Sequence, residues 1–127
     1  LVASDVVKLI CRVEGTPAIE LASMLDVDVT DGVAVPYHGA GEWVELLAEG
    51  VSKASGLAAV CERLGVARED VVAVGDSWND IPMLEWAGCG VAMGHAAPHV
   101  VAVADRVVPG VEDDGVAVLL DELLSLR

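Results

Sequence analysis

The chain has 127 residues, 54% hydrophobic and 22% charged, which is enough apolar material for a folded core and excludes a disordered chain. Seven Lys and Arg against twenty-one Asp and Glu leave a net charge of −14, which disfavours nucleic acid as a partner because a phosphate backbone is repelled unless a cation intervenes. No apolar run approaches the roughly 20 residues that a membrane-spanning helix needs, so a soluble protein is expected.

The three cysteines, Cys11, Cys61 and Cys89, are odd in number, lack a CxxC pairing and sit in apolar runs. They read as small core residues of a reducing, cytoplasmic compartment. The opening Leu1 to Asp5 has neither an initiator Met nor a basic flank before an apolar segment, so no signal peptide is expected and a fragment of a longer chain is.

Taken in chain order, Val6 to Val13 is a β run, and Thr16 as N-cap with Pro17 at the first helical position opens a short amphipathic helix over Ile19 to Leu25. Val33 to Tyr37 and Trp43 to Leu47 are two further strands about the Gly-containing segment His38 to Gly41, the pattern of a hairpin. The first part therefore reads β-α-β-β up to about Gly50. Beyond it Ser52 can cap a helix with Leu57, Val60, Cys61 and Leu64 on one stripe, ended by Gly65. Val71 to Val74 is an aliphatic run of the kind found in parallel strands buried on both faces. Asn79 then caps a helix to about Ala87, stopped by Gly88. Val91 to Met93 and Arg106 to Val108 are strands, Pro98 to Ala104 is a short helix, and the last helix carries Val116, Leu119, Leu120, Leu123 and Leu124 on one stripe expected to be core. Alternation of helix and strand predicts an open α/β sheet.

In such sheets ligands bind beyond the carboxyl ends of the strands, and the run Val71 to Asp76 delivers a carboxylate to that edge. Asp80 follows four residues later, in the first helical turn. Two carboxylates about a tight turn can converge on a hard cation such as Mg²⁺, directly or through its waters. The alternative is structural, with Asp80 favouring the helix start and Asp76 closing a turn. Lys53 lies one βα unit earlier in a Ser-Lys-Ala-Ser-Gly segment, where its ammonium could neutralise a phosphate and a carboxylate together.

These segments resemble the haloacid dehalogenase-like (HAD) phosphatases, in particular the Cof-type hydrolases with a large α/β cap. Gly50 to Leu57 is similar to that family's third motif, Val72 to Leu84 to its fourth, Gly90 to Gly94 to the strand that follows, and Asp113 to Ala117 to its C-terminal signature. The resemblance implies an α/β, HAD-type Rossmannoid parallel sheet. Residues 1–50 would be the C-terminal part of the cap domain and residues 51–127 the C-terminal part of the core. It further implies that Lys53 holds the phosphate and the nucleophile, Asp76 ligates Mg²⁺, Asn79 contacts the phosphoryl group and Asp80 completes or orients the metal site. His95 departs from the pattern, since the family usually has Asn after Gly94.

The family's nucleophile is the first Asp of a DxDGT motif at the end of its first strand. Asp26-Val-Asp28-Val-Thr30 imitates that motif but follows a helix, and too few residues separate Thr30 from Lys53 for a cap and a second motif, so it reads as a chance match. The nucleophile is then expected upstream of Leu1. The implied activity is Mg²⁺-dependent hydrolysis of a small phosphorylated metabolite such as a sugar phosphate, through an aspartyl-phosphate. The 127-residue chain alone is expected to be inactive, and to self-associate or pair with the missing N-terminal part. The rival reading is a non-catalytic module that keeps the Mg²⁺ and phosphate contacts; a phosphorelay receiver is a third option, but there the acidic residues precede the lysine.

Other motifs weigh less. Gly88 to Gly94 is a GxGxxxG ahead of a strand, whereas a dinucleotide fingerprint follows one. His38, His95 and His99 share no metal-binding spacing. Tyr37, His38, Glu42 and Trp43 read as hairpin packing before substrate contacts, and Trp78 and Trp86 as packing, with Trp78 able to shield the metal turn.

Overall fold

The computed structural model describes residues 8–25, 33–34, 43–48 and 50–125. The chain divides into two compact units, Leu1–Ser52 and Lys53–Arg127. In the first, strands β1 (Lys8–Arg12), β2 (Val33–Ala34) and β3 (Trp43–Leu47) form an antiparallel sheet in the order β1-β3-β2. The expected hairpin pairing is present, with Val33 opposite Leu46. Helix α1 (Ala18–Met24) seats Ala18, Leu21 and Ala22 on Val44. Thr16 does not cap it: Pro17 holds the N-cap position with extended backbone, and the Thr16 N–H closes a turn on the Val13 carbonyl at 3.1 Å. Asp26, Asp28, Tyr37, His38 and Glu42 lie outside the described residues; Trp43 is exposed.

The second unit runs α2 (Lys53–Leu64), β4 (Val72–Gly75), α3 (Ile81–Trp86), β5 (Cys89–Met93), α4 (Pro98–Val101), β6 (Arg106–Val108) and α5 (Gly115–Ser125). Its strands form a parallel sheet in the order β4-β5-β6. Helix α2 ends where the sequence says it should: Gly65 has φ +65°, its N–H reaches the Glu62 carbonyl at 3.3 Å, and the Val66 N–H reaches Cys61 at 2.9 Å. This is a Schellman closure, and it needs a residue free to adopt the left-handed region.

One core cluster joins Cys61, Val71, Ala73, Leu84, Ala87, Ala92 and Val100; a second joins Val91, Met93, Val108 and Leu119. Alternate residues of β5 thus serve the two clusters, as a strand with both faces covered requires. Strand β4 departs from that expectation. Val71, Ala73 and Gly75 are buried, but Val72 stays exposed, because α5 packs over β6 at the other side of the sheet. The stripe on α5 is also narrower than expected. Leu119 is buried and Leu123 half-buried, whereas Val116, Leu120 and Leu124 project from an exposed face, since the helix is apolar nearly all round and only one side meets the sheet.

Two glycines respond oppositely to a methyl group. At Gly115 a Cβ would lie 1.9 Å from the Pro109 carbonyl oxygen, where backbone cannot give way, while at Gly56, inside α2, nothing lies within 4 Å. Gly115→Ala should therefore destabilise the fold by about 1–3 kcal/mol or more. Gly56→Ala should stabilise it by about 0.5–1 kcal/mol through helix propensity. Denaturant melts of both variants against the parent check the pair of signs.

Candidate functional site

Parallel pairing aligns the carboxyl ends of β4 and β5, with Gly75 opposite Ala92, so the segments that leave them start side by side. Asp76 follows β4 directly. The chain then makes a 3-10 turn, Trp78–Asp80, before α3 begins, so Asp80 and not Asn79 takes the N-cap position of the α-helix. Asn79 sits inside the turn with its side chain exposed. The reason for the extra turn is Asp80 itself, which swings back under the loop and accepts the N–H groups of Asp76 and Ser77, each at 3.0 Å, on Oδ2. Gly75 makes room: a Cβ there would stand 2.4 Å from Asp80 Cβ.

Lys53, the first residue of α2, donates from Nζ to Asp80 Oδ1. The Asp80 side chain is only 5% exposed and that of Lys53 47%. Burial alone would raise the Asp80 pKa, but the Lys53 hydrogen bond, the two backbone N–H groups and the Lys53 charge together hold it below the ordinary carboxylate value. Asp76 is differently placed. Its side chain is 48% exposed, accepts the Ser77 hydroxyl on Oδ1 at 3.3 Å, and has His95 Nε2 at 3.2 Å from Oδ2.

The residues brought together are thus Lys53, Asp76 and Asp80, with Asn79 on the same turn. Ser77 and His95 are partners that sequence reading did not assign. His95 stood out in the sequence as a departure from the family pattern after Gly94, and its position two residues past β5, beside the strand that delivers Asp76, is what brings it to the site. Trp78 stacks on His99, ring centroids 3.9 Å apart, and so packs toward α4.

The donor chemistry fits a hard cation. Asp76 offers an exposed carboxylate with a lone-pair site left on each oxygen, whereas Asp80 is buried and already accepts three hydrogen bonds. Among the described residues no group of three or more His, Cys, Asp or Glu is disposed to hold a metal. Mg²⁺, which keeps several waters and takes one or two carboxylates beside substrate phosphate, is compatible with so sparse a set.

The site thus consists of an exposed aspartate and a buried aspartate paired with a lysine at the carboxyl edge of a parallel α/β sheet. The sequence profile of the haloacid dehalogenase-like hydrolases matches residues 20–120, and the chain belongs to that family. It is 44% identical over 93 residues, 73% of its length, to the 5-amino-6-(5-phospho-D-ribitylamino)uracil phosphatase YitU of Bacillus subtilis (strain 168), of which it covers 33%. It is 42% identical over 103 residues, 76% of its length, to the phosphoglycolate phosphatase of Methanopyrus kandleri, of which it covers 44%. Among solved structures, the HAD subclass IIB sugar phosphatase BT4131 superposes with a TM-score of 0.79 at 27% identity over 94% of this chain and 44% of that one. The chain therefore spans less than half the length of these relatives.

The lowered Asp80 pKa fixes a pH dependence of stability. The group binds its proton less readily folded than unfolded, so its contribution is present above the unfolded pKa of about 4 and is lost as pH falls through the lowered folded value. Metal-free denaturation between neutral pH and pH 2 should show a steep acid limb. In Asp80→Asn that limb should flatten, on top of an overall loss of stability.

Proposed function

We propose that this chain supplies the phosphate- and metal-binding part of a Mg²⁺-dependent phosphatase acting on a small phosphorylated metabolite such as a sugar phosphate. The observation that carries this reading is the Lys53–Asp80 pair, which holds the backbone N–H of Asp76 and so the turn that presents the exposed Asp76 carboxylate at the sheet edge. The relatives' phosphatase names support the reaction class, and the sugar phosphatase structure supports the substrate class. Residues 1–50 are assigned to the cap and residues 51–127 to the core.

In this reading Asp76 holds the cation, and Asp80 orients the turn that carries Asp76. Lys53, neutralised on one side by Asp80, turns its remaining N–H groups to a phosphoryl oxygen, and Asn79 reaches the same group from the turn. Mg²⁺, when bound, offsets charge on the phosphoryl oxygens and fixes their orientation. Neither Asp76 nor Asp80 is assigned as nucleophile. Asp80 is buried and accepts from Lys53 and two backbone N–H groups, and Asp76 is assigned to the cation. The attacking carboxylate is assigned to a part of the full-length protein outside this chain, and the 127-residue chain by itself is proposed to bind without turnover. The free thiols of Cys11, Cys61 and Cys89 suit a cytoplasmic setting. The exposed apolar face of α5 suits burial against the remainder of the protein.

The test is hydrolysis of p-nitrophenyl phosphate with and without Mg²⁺. The full-length gene product should turn over only with metal, and Asp76→Asn should lower kcat/KM by about 10²-fold or more, the scale of losing a principal electrostatic group. Replacing Asp26 and Asp28 with Asn should change turnover only a few-fold. Metal-dependent turnover by the 127-residue chain, abolished by Asp26→Asn, would overturn the assignment.

A further inference from the structure

We propose that His95 is a positioning residue for the Asp76 carboxylate, a strut that ties it to the 3-10 turn Val111–Asp113. The inference rests on the metal-site reading of Asp76. The two ring nitrogens have different roles. The backbone N–H of Val111 donates to His95 Nδ1 at 3.2 Å, so that nitrogen presents a lone pair, which an imidazolium lacks. With Nδ1 accepting, Nε2 is the nitrogen left to donate, and it stands 3.2 Å from Asp76 Oδ2. The contact is a directed hydrogen bond.

Both ends of the strut have a reason to exist. Asp76 stands on a turn with its side chain 48% exposed, and its other partner, the Ser77 hydroxyl, is a long 3.3 Å away. Without His95 little would choose among its rotamers. At the far end the Val111 N–H opens the 3-10 turn and is a donor that such a start leaves without an intrahelical acceptor. That turn is itself anchored: the Asp113 and Gly115 N–H groups both return to the Gly110 carbonyl, at 3.1 and 3.2 Å, and Gly115 is pressed onto Pro109. A carboxylate oriented in advance loses less freedom when it takes a cation, and each of its oxygens keeps a second lone-pair site for that purpose.

Side-chain reach separates the two ends experimentally. Asn places its amide oxygen where Nδ1 stands, so His95→Asn can still accept from Val111 but falls short of Asp76. Gln places its amide nitrogen where Nε2 stands, so His95→Gln can still donate to Asp76 but gives up Val111. Calorimetric titration of the metal-free full-length protein with Mg²⁺ and Mn²⁺ should show His95→Asn weakened about 10–100-fold with its melting temperature unchanged. His95→Gln should stay within a few-fold in affinity but melt lower. Nitrogen-15 NMR should find the Nε2 signal of the wild-type ring moved by Asp76→Asn. Cation binding by His95→Asn equal to wild type, equal losses in both variants, or a ring protonated at Nδ1 would overturn the strut. If instead Asp76→Asn itself binds cation and turns over normally, the metal-site reading fails, and the strut falls with it; that outcome is distinct from failure of the His95 variants alone.

Discussion

A carboxylate with only 5% of its side chain exposed is tolerable when charge and donors surround it, and Asp80 is satisfied from three directions. Lys53 approaches from the start of α2, and the N–H groups of Asp76 and Ser77 approach from the end of β4. Two segments that are separate in sequence, the start of α2 and the loop from β4 into α3, are therefore fixed to a single side chain. Removing Lys53 would leave a buried charge without its counter-ion, a larger loss than the pair itself contributes to stability. The geometry of the candidate site and the stability of the unit are consequently one problem, because the same pair sets where the Asp76 carboxylate and the Lys53 ammonium stand.

The sheet is built to let that pair form. On β5 the residues facing α3 are Gly90 and Ala92, and those facing α5 are Val91 and Met93. A Cβ at Gly90 would lie 2.4 Å from the Leu84 carbonyl oxygen, so α3 rests on the strand's backbone. That close seat keeps the start of α3 near the end of β4. Gly75 plays the corresponding part at the strand's end, since any side chain there would occupy the place of Asp80. The scarcity of aromatics in the composition has its counterpart here: the helix-facing core is assembled from small and medium residues because helix and strand backbones nearly touch.

Most of this architecture was legible because it depends on local signals. The aliphatic run ending at Asp76, the glycine at position 65 and the alternation of helix and strand after Gly50 announce their elements through periodicity and turn chemistry, and the elements lie where those signals put them. Local reading went astray where a side chain acts across a loop. Asn79 looked like the cap because Asn is a good one, but Asp80 folding back beneath the turn inserted a 3-10 segment and displaced it by one residue. Thr16 does not cap either, because the helix starts one residue later and Pro17, which has no side-chain acceptor, holds the N-cap position. The width of the buried stripe on α5 was not legible at all, because an apolar residue carries no mark of which neighbour it meets. His95 lies 19 residues from Asp76, and no pattern along the chain joins them. Their proximity follows from the parallel pairing of two strand ends.

The two aspartates show how one turn can give like groups unlike tasks. Asp80 is withdrawn from solvent, holds its charge against burial through Lys53 and two amides, and spends three of its lone-pair sites on them. Asp76, four residues earlier, is about half exposed and uses one lone-pair site on each oxygen, for Ser77 and for His95. Environment thus separates an anchoring carboxylate from an available one, the arrangement by which paired acids commonly acquire distinct roles. It also explains why the lysine is shared. An ammonium wholly committed to Asp80 would be enclosed with it, yet Lys53 remains 47% exposed, with one hydrogen bond directed inward and its other N–H groups toward solvent. The pair can hold the turn shut and still present positive charge at the surface. In a chain with a net charge of −14, where two aspartates outnumber the lysine at this edge of the sheet, Lys53 offsets only part of the local negative charge, and an anionic group here would need a cation beside it.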